Sequence, residues 1–248
     1  YQSINEQDGV QYYQRGIIEN NGKLYERIAI KTHFVQRQED YIELVKKYVA
    51  PICQDGDILS ICEKVIAMCQ DRTVAMKDVK VGFWARFLSK FATSSTAGIG
   101  MDEPYKLQLT IDLKGLPTVL FATLCAAIGK LFGKKGIFYK IVGKEIAGID
   151  GFYNSSFFDT YHTLAVLMPE KPDQVCDEIK DAIGVSSMIV DANDFAQEVW
   201  GCCQDLKSYK EENLMNLIKD NPAGQDDECT PLVLIREVKE REYNGMTV

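Results

Sequence analysis

The chain is 248 residues long, 46% hydrophobic and 26% charged, with no low-complexity tract, which is enough to bury a sizeable core as one large domain or two small ones. A formal charge of −8 and a pI near 5.0 exclude a general nucleic-acid binder, because such a protein needs a net basic face. The eight cysteines contain no C-x-x-C pair and have only His33 and His162 to help them, which argues against a zinc site. No signal-peptide pattern opens the chain, so reduced thiols and a cytoplasmic location are expected, and the missing initiator Met is read as trimming or an incomplete start.

Residues 1–24 are polar and tyrosine-rich and read as an N-terminal arm with a turn at Asn20 to Lys23; residues 25–248 read as the main domain, with room for a helical insertion at 78–135. "YERIAIKTHFV" (25–35) predicts a strand. In "QEDYIELVKKYVAPI", Tyr41, Leu44, Val45 and Tyr48 share one helical face and Pro51 lies just past the end. "ILSICEKVIAMC" opens as a strand. A helix is expected from Asp78 to Thr96, a small-residue loop at Thr93 to Gly100, and a strand in the alternating "YKLQLTIDL" (105–113).

"GLPTVLFATLCAAIGKLFG" (115–133) is the most apolar segment. Gly129 and Lys130 interrupt it, and it falls short of the ~20 residues a span needs. It reads as a core or subunit-interface helix, and no membrane partner is expected. The basic stretch after it predicts one or two strands ending at Asp150. Its lysines (Lys130, Lys134, Lys135, Lys140, Lys144) suit either an anionic substrate or a solvated surface.

"EKPDQVCDEIKDAIG" has Pro172 near a helix start and Gly184 at its end. A strand through Met188 to Val190, a short helix stopped at Asn221-Pro222 and a last strand in "TPLVLIREV" complete the pattern. Strands and helices alternate, so the fold class is α/β or α+β, a mixed sheet with flanking helices.

Acidic residues recur where apolar segments end. "GID" stops at Asp150, "MIVDAND" at Asp191 to Asp194, and "DNPAGQDDECTP" carries Gln225, Asp226, Asp227 and Glu228. Hard cations such as Mg²⁺ and Mn²⁺ take oxygen ligands from one or two carboxylates, with phosphate oxygens completing the shell. Asp and Asn also serve ordinary turns and caps, so spacing alone leaves a metal site and plain loops both open. Neither a P-loop nor a strand-linked G-x-G-x-x-G is present, "AGIG" (97–100) is a weak phosphate-loop hint that reads more readily as a plain loop, and the two histidines lack a triad partner motif.

In their order, "RIAIKTHFV", "GDILSICEKVIAMCQDR", "GKEIAGIDG", "IVDANDF" and "DNPAGQDDECTPLVLIRE" resemble the coenzyme F(420)-0:L-glutamate ligase family, the γ-glutamyl ligases, in a bacterial branch. The resemblance spans Arg27 to Val238. It implies an intertwined homodimer that uses GTP, or ATP, with Mg²⁺ or Mn²⁺ to phosphorylate a carboxylate acceptor, after which L-glutamate displaces phosphate to form an amide. By position, Asp150, Asp191 and Gln225 would be metal ligands. Lys31, Thr32, His33, Asn154, Gly224, Gln225, Asp226, Asp227 and Glu228 would bind the nucleotide. The chain departs from the family pattern at Ala192, at Glu63-Lys64, and at Met68, where a lysine is expected. A non-catalytic nucleotide- or anion-binding relative is the alternative, and a structural subunit with an apolar interface helix is a third reading.

Overall fold

The computed structural model describes residues 4–92, 100–152, 162–192, 197–224 and 228–238. The chain divides into two compact units, residues 1–71 with 169–248, and residues 72–168.

The first unit is built on a mixed seven-stranded sheet: β1 (Asn5–Gln7), β2 (Val10–Asn20), β3 (Lys23–Ile30), β4 (Ile58–Cys62), β8 (Ser186–Ala192), β9 (Gln197–Cys202) and β10 (Leu232–Val238). Their order is β1-β2-β3-β10-β4-β8-β9, antiparallel except for the parallel β4–β8 pair. The β2–β3 hairpin closes on Asn21-Gly22, both at positive φ (53° and 74°), the geometry that an Asn-Gly pair adopts without steric cost. Parallel pairing of β4 with β8 requires a crossover. That long connection contains α2 (Glu63–Cys69), the whole second unit, and α8 (Pro172–Ile183), which packs on β8 and β9.

Local rules account for the helices here. Asp40 caps α1 (Tyr41–Tyr48) by accepting from the Ile42 amide at 2.8 Å, and Glu43 and Lys46–Lys47 sit at the ends that suit the helix dipole. Pro172 starts α8 and Gly184 (φ 77°) stops it. α9 (Glu211–Ile218) completes the layer. Ile30, Leu59, Ile61, Met188, Ile189 and Leu234 are fully buried, each stabilising the fold by about 1.5–3 kcal/mol relative to an exposed side chain.

The second unit contains the three-stranded sheet β5-β7-β6 (Thr73–Ala75, Leu164–Val166, Asp150–Gly151) and helices α3 (Phe83–Ser89), α4 (Pro104–Lys114), α5 (Leu116–Leu131), α6 (Ile137–Val142) and α7 (Lys144–Ala147). Three sequence expectations fail in it. "YKLQLTIDL" is helix α4, not a strand: Glu103 caps it, Pro104 starts it, and the polar Lys106 and Thr110 occupy its buried face, which hides the helical period. The segment before Asp150 is helical because Val142, Ile146 and Ile149 are buried at helical spacing, with glycines at positive φ before α6 (Gly136) and between it and α7 (Gly143). The helix expected over 78–96 shrinks to α3, preceded by a 3-10 turn at Met76–Asp78. The strand β9 had no sequence expectation.

Candidate functional site at one sheet edge

Four strand ends line up in a single register. Leu232 of β10 pairs with Ile30 of β3 on one side and with Ile61 of β4 on the other, and Ile61 pairs with Ile189 of β8. Beyond this rung β3 continues into Lys31-Thr32-His33, β10 is preceded by Thr230-Pro231, and β4 passes through Cys62, which pairs with Val190, into Glu63-Lys64, while Asp191 is still within β8 and pairs with Glu198 of β9. Residues that are distant in sequence therefore emerge along one edge of the first unit. The Cys62 amide donates to the Pro231 carbonyl at 2.9 Å, and the Thr32 amide to the Cys229 carbonyl at 2.8 Å. These bonds seat the Lys31–His33 segment against the loop that carries Gly224 and Glu228.

Asp220, Pro222 and Glu228 are held by side chains of β2 and β3. A bulge between Gln14 and Ile17, with Gly16 at φ 75°, takes Arg15 out of the regular ladder. The Arg15 guanidinium donates to the Pro222 carbonyl at 3.0 Å and to the Glu228 carboxylate at 2.5 Å, while also lying over the Tyr13 ring. Buried Arg27 pairs with Asp220 and donates to the Arg15 carbonyl at 2.8 Å. The Thr230 hydroxyl donates to the Ala223 carbonyl. Gly224 sits at φ 78°, and a Cβ there would strike the Glu228 carboxylate and the Arg15 guanidinium. Glycine is what lets those groups close over the loop backbone.

At the β4 and β8 tips, burial pushes the Cys62 thiol up to about 11; Lys64 lowers it, whereas Glu63 and Asp191 raise it further. The charges of Lys64 and Asp191 thus act on the same spot. Thr32 is buried, and its hydroxyl donates to the His33 carbonyl at 2.8 Å. His33 is engaged through both ring nitrogens, Nδ1 with the Tyr48 hydroxyl at 2.8 Å and Nε2 with Glu39 at 2.7 Å. Met68, where the family pattern leads one to expect a lysine, is 2% exposed and belongs to the core.

Asp150 belongs to the second unit. It opens β6 opposite Val166, its carboxylate accepts from the Gly151 amide at 3.0 Å, and its charge acts on buried Lys106. Lys106 donates to the Ile149 carbonyl at 2.9 Å. Asn154, Gln225, Asp226 and Asp227 lie outside the described residues, as does Asp194. Among the described residues, no three His, Cys, Asp or Glu side chains are grouped to hold a metal ion. Of the expected site residues, the fold therefore brings together Lys31, Thr32, His33, Gly224, Glu228 and Asp191 along one edge. Sequence reasoning missed Arg15 and noted Lys64 only as a departure from the family pattern; the signal for Arg15 was the Arg-Gly pair in a strand, which marks a bulge.

Residues 29–194 match the family model described as F420-0:Gamma-glutamyl ligase. No curated protein matches the chain. Arg15 and the 220–230 loop lie outside the matched span.

Proposed function

Because the chain belongs to the F420-0:gamma-glutamyl ligase family, we propose that it forms a γ-glutamyl-type amide at the expense of a nucleoside triphosphate, GTP or ATP, in the presence of Mg²⁺ or Mn²⁺. The observation that carries this reading is the common register of the β3, β10, β4 and β8 strands, which gathers Lys31–His33, Gly224, Glu228 and Asp191. Ligands favour the carboxyl ends of parallel strands in open α/β sheets, and the parallel pair β4 and β8 has its carboxyl ends at this edge, beside that of β3.

The donor set suits a hard cation. Asp191 offers carboxylate oxygens, and the 225–228 segment adds an amide and three carboxylates by sequence. By the family resemblance Asp191 and Gln225 would be metal ligands in the first unit, and Asp150 would be one in the second. Bound there, the cation would neutralise charge on the transferring phosphoryl oxygens. The chain itself does the rest. Gly224 leaves room for Arg15 and Glu228 to pack over the loop backbone, Arg15 keeps Glu228 in place, and Lys31 supplies a positive charge. The acceptor carboxylate oxygen takes the γ-phosphoryl group as the bond to the leaving diphosphate breaks. The glutamate amine then attacks the acyl carbon, loses a proton, and phosphate departs. L-Glutamate and a second carboxylate compound are the substrates, and a homodimer is the expected assembly.

Isothermal titration of GTP and ATP with and without Mn²⁺ tests the reading. Binding should require the metal and disappear in Asp191→Ala, and glutamate should stimulate phosphate release from the nucleotide. Equal binding without metal would count against it. Burial of Met68 favours a second reading, a non-catalytic nucleotide- or anion-binding relative, because that position presents no charge. Metal-dependent binding with no phosphate release under any acceptor would select it.

A further inference from the structure

The second unit carries a surface that the ligase reading does not use. Among the described residues twelve large hydrophobic side chains are exposed, and ten belong to it, including Phe83, Trp84, Phe87 and Phe91 around α3 and Phe121, Leu124, Ile128, Leu131 and Phe132 on or just past α5. The α5 set falls on one stripe of roughly 100° at 3.6 residues per turn. The opposite side of α5 buries only Val119, Ala122 and Gly129, and a Cβ on Gly129 would strike Ile137 of α6. The outward face is thus more apolar than the inward one, the reverse of a core helix. Within one chain residues 115–133 therefore do not form a core helix, which is one half of the expectation of a core or subunit-interface helix.

Charge follows the same division. Residues 72–168 contain twelve Lys and Arg against seven Asp and Glu, a net +5, whereas the remaining residues, sixteen against twenty-nine, carry −13. No acidic residue occurs between Asp112 and Glu145, while Lys130, Lys134, Lys135, Lys140 and Lys144 are exposed there. No single described helix is long and apolar enough to cross a membrane, and α4 and α5 bend by 119° at Gly115.

We propose that the α5 face docks on an anionic lipid surface, with Phe121, Leu124, Ile128, Leu131 and Phe132 entering the headgroup–acyl boundary and Lys130, Lys134 and Lys135 meeting lipid phosphates. An apolar stripe bordered by long cations is the composition of an interfacial helix. Protein interfaces are poor in lysine and enriched in arginine, yet every cation on this segment is lysine. Pairing the face with its own copy would bring the lysine clusters together in a two-fold contact. No membrane partner was expected from the sequence, because exposure cannot be read from an apolar run. The proposal is independent of the ligase reading.

Cosedimentation of the full chain with phosphatidylcholine vesicles, with and without phosphatidylglycerol, tests it. Binding should need the anionic lipid and weaken with salt. The double variant Lys134→Glu/Lys135→Glu should lower the partition coefficient at least about tenfold, since each lysine near an anionic surface is worth about fivefold. Leu131→Glu/Phe132→Glu should abolish it. Those two side chains are 85% and 76% exposed, so circular-dichroism melting should be unchanged. Failure of the unmodified chain to sediment with anionic vesicles would overturn the proposal, as would variants that bind as well as it does. A dimer split by Leu131→Glu/Phe132→Glu, without vesicle binding, would assign the face to a second copy instead.

Discussion

Arg15 and Glu228 are joined by a 2.5 Å ion pair across 213 residues of chain, with the arginine side chain 14% exposed and the glutamate 31%. The pair ties the bulge in β2 to the loop before β10. It restrains a group that the family resemblance places near the phosphates. Arg15→Met should therefore loosen the loop, lower stability by about 1–2 kcal/mol, and raise the KM for nucleotide more than it lowers kcat. Arg15→Lys keeps the charge but loses the fork that reaches both Pro222 and Glu228, so it should recover only part of the affinity. Steady-state kinetics with each variant checks the split.

Gly224→Ala should do more local damage. The residue needs positive φ, and its methyl group would meet both members of the Arg15–Glu228 pair. A cost of about 1–3 kcal/mol is expected from the backbone strain alone, with nucleotide binding falling in parallel. Retained affinity in a folded Gly224→Ala protein, measured by titration calorimetry, would remove this loop from the site.

The sheet has a lock at the other end of β4 and β10. Arg236 donates to both oxygens of Asp57 at 2.9 and 2.7 Å, and the Asp57 side chain is 1% exposed. Asp57 also accepts from the Gln54 amide at 2.8 Å. Removing one partner strands a largely buried charge. Asp57→Ala should cost about 3 kcal/mol or more in urea unfolding, and Asp57→Ala/Arg236→Met should cost less than the two single changes added together.

Sequence legibility followed the range of the cause. Helix α8 was visible because Pro172, Gly184 and a run of buried positions lie within thirteen residues of one another, and the β2–β3 turn because Asn21-Gly22 is a local signal. Helix α4 was not, because its buried face holds Lys106 and Thr110, polar groups satisfied by the Ile149 and Lys106 carbonyls respectively. Asp191 could be picked out as a strand-end carboxylate. Its alignment with Thr32 and Glu228 depends on the order β3-β10-β4-β8, and no local pattern encodes strand order. Arg15 escaped for the same reason: its partners come from the opposite end of the chain.

Gly151 gives the sharpest test of how Asp150 is held. It follows the carboxylate at φ 112°, and a Cβ there would strike the Leu164 carbonyl and the Ala165 backbone across the β6–β7 pair. Gly151→Ala must therefore either break the two-residue ladder or take a strained backbone, at about 3 kcal/mol. Loss of that ladder should free the Asp150 carboxylate from the Gly151 amide and reduce metal-dependent activity beyond the loss of folded protein.

Lys106, three residues into α4 and 3% exposed, makes the second unit's stability depend on alkaline pH. Burial lowers its pKa to about 8, partly opposed by Asp150 and Asp102. The folded value lies below the unfolded one near 10.5, so between them the unfolded chain binds more protons and stability rises with pH. Below about 8 the full penalty of a buried charge applies; above about 10.5 this contribution vanishes. Lys106→Met has no proton to bind. Its stability relative to the unmodified chain should therefore be most favourable below pH 8 and decline by about 3 kcal/mol as pH rises through this window, offset throughout by the lost bond to the Ile149 carbonyl. Urea midpoints of both proteins, measured in parallel across that range, isolate the lysine from the thiols and tyrosines that titrate in both. A stability difference that stayed flat with pH would mean Lys106 is charged at no cost in the fold.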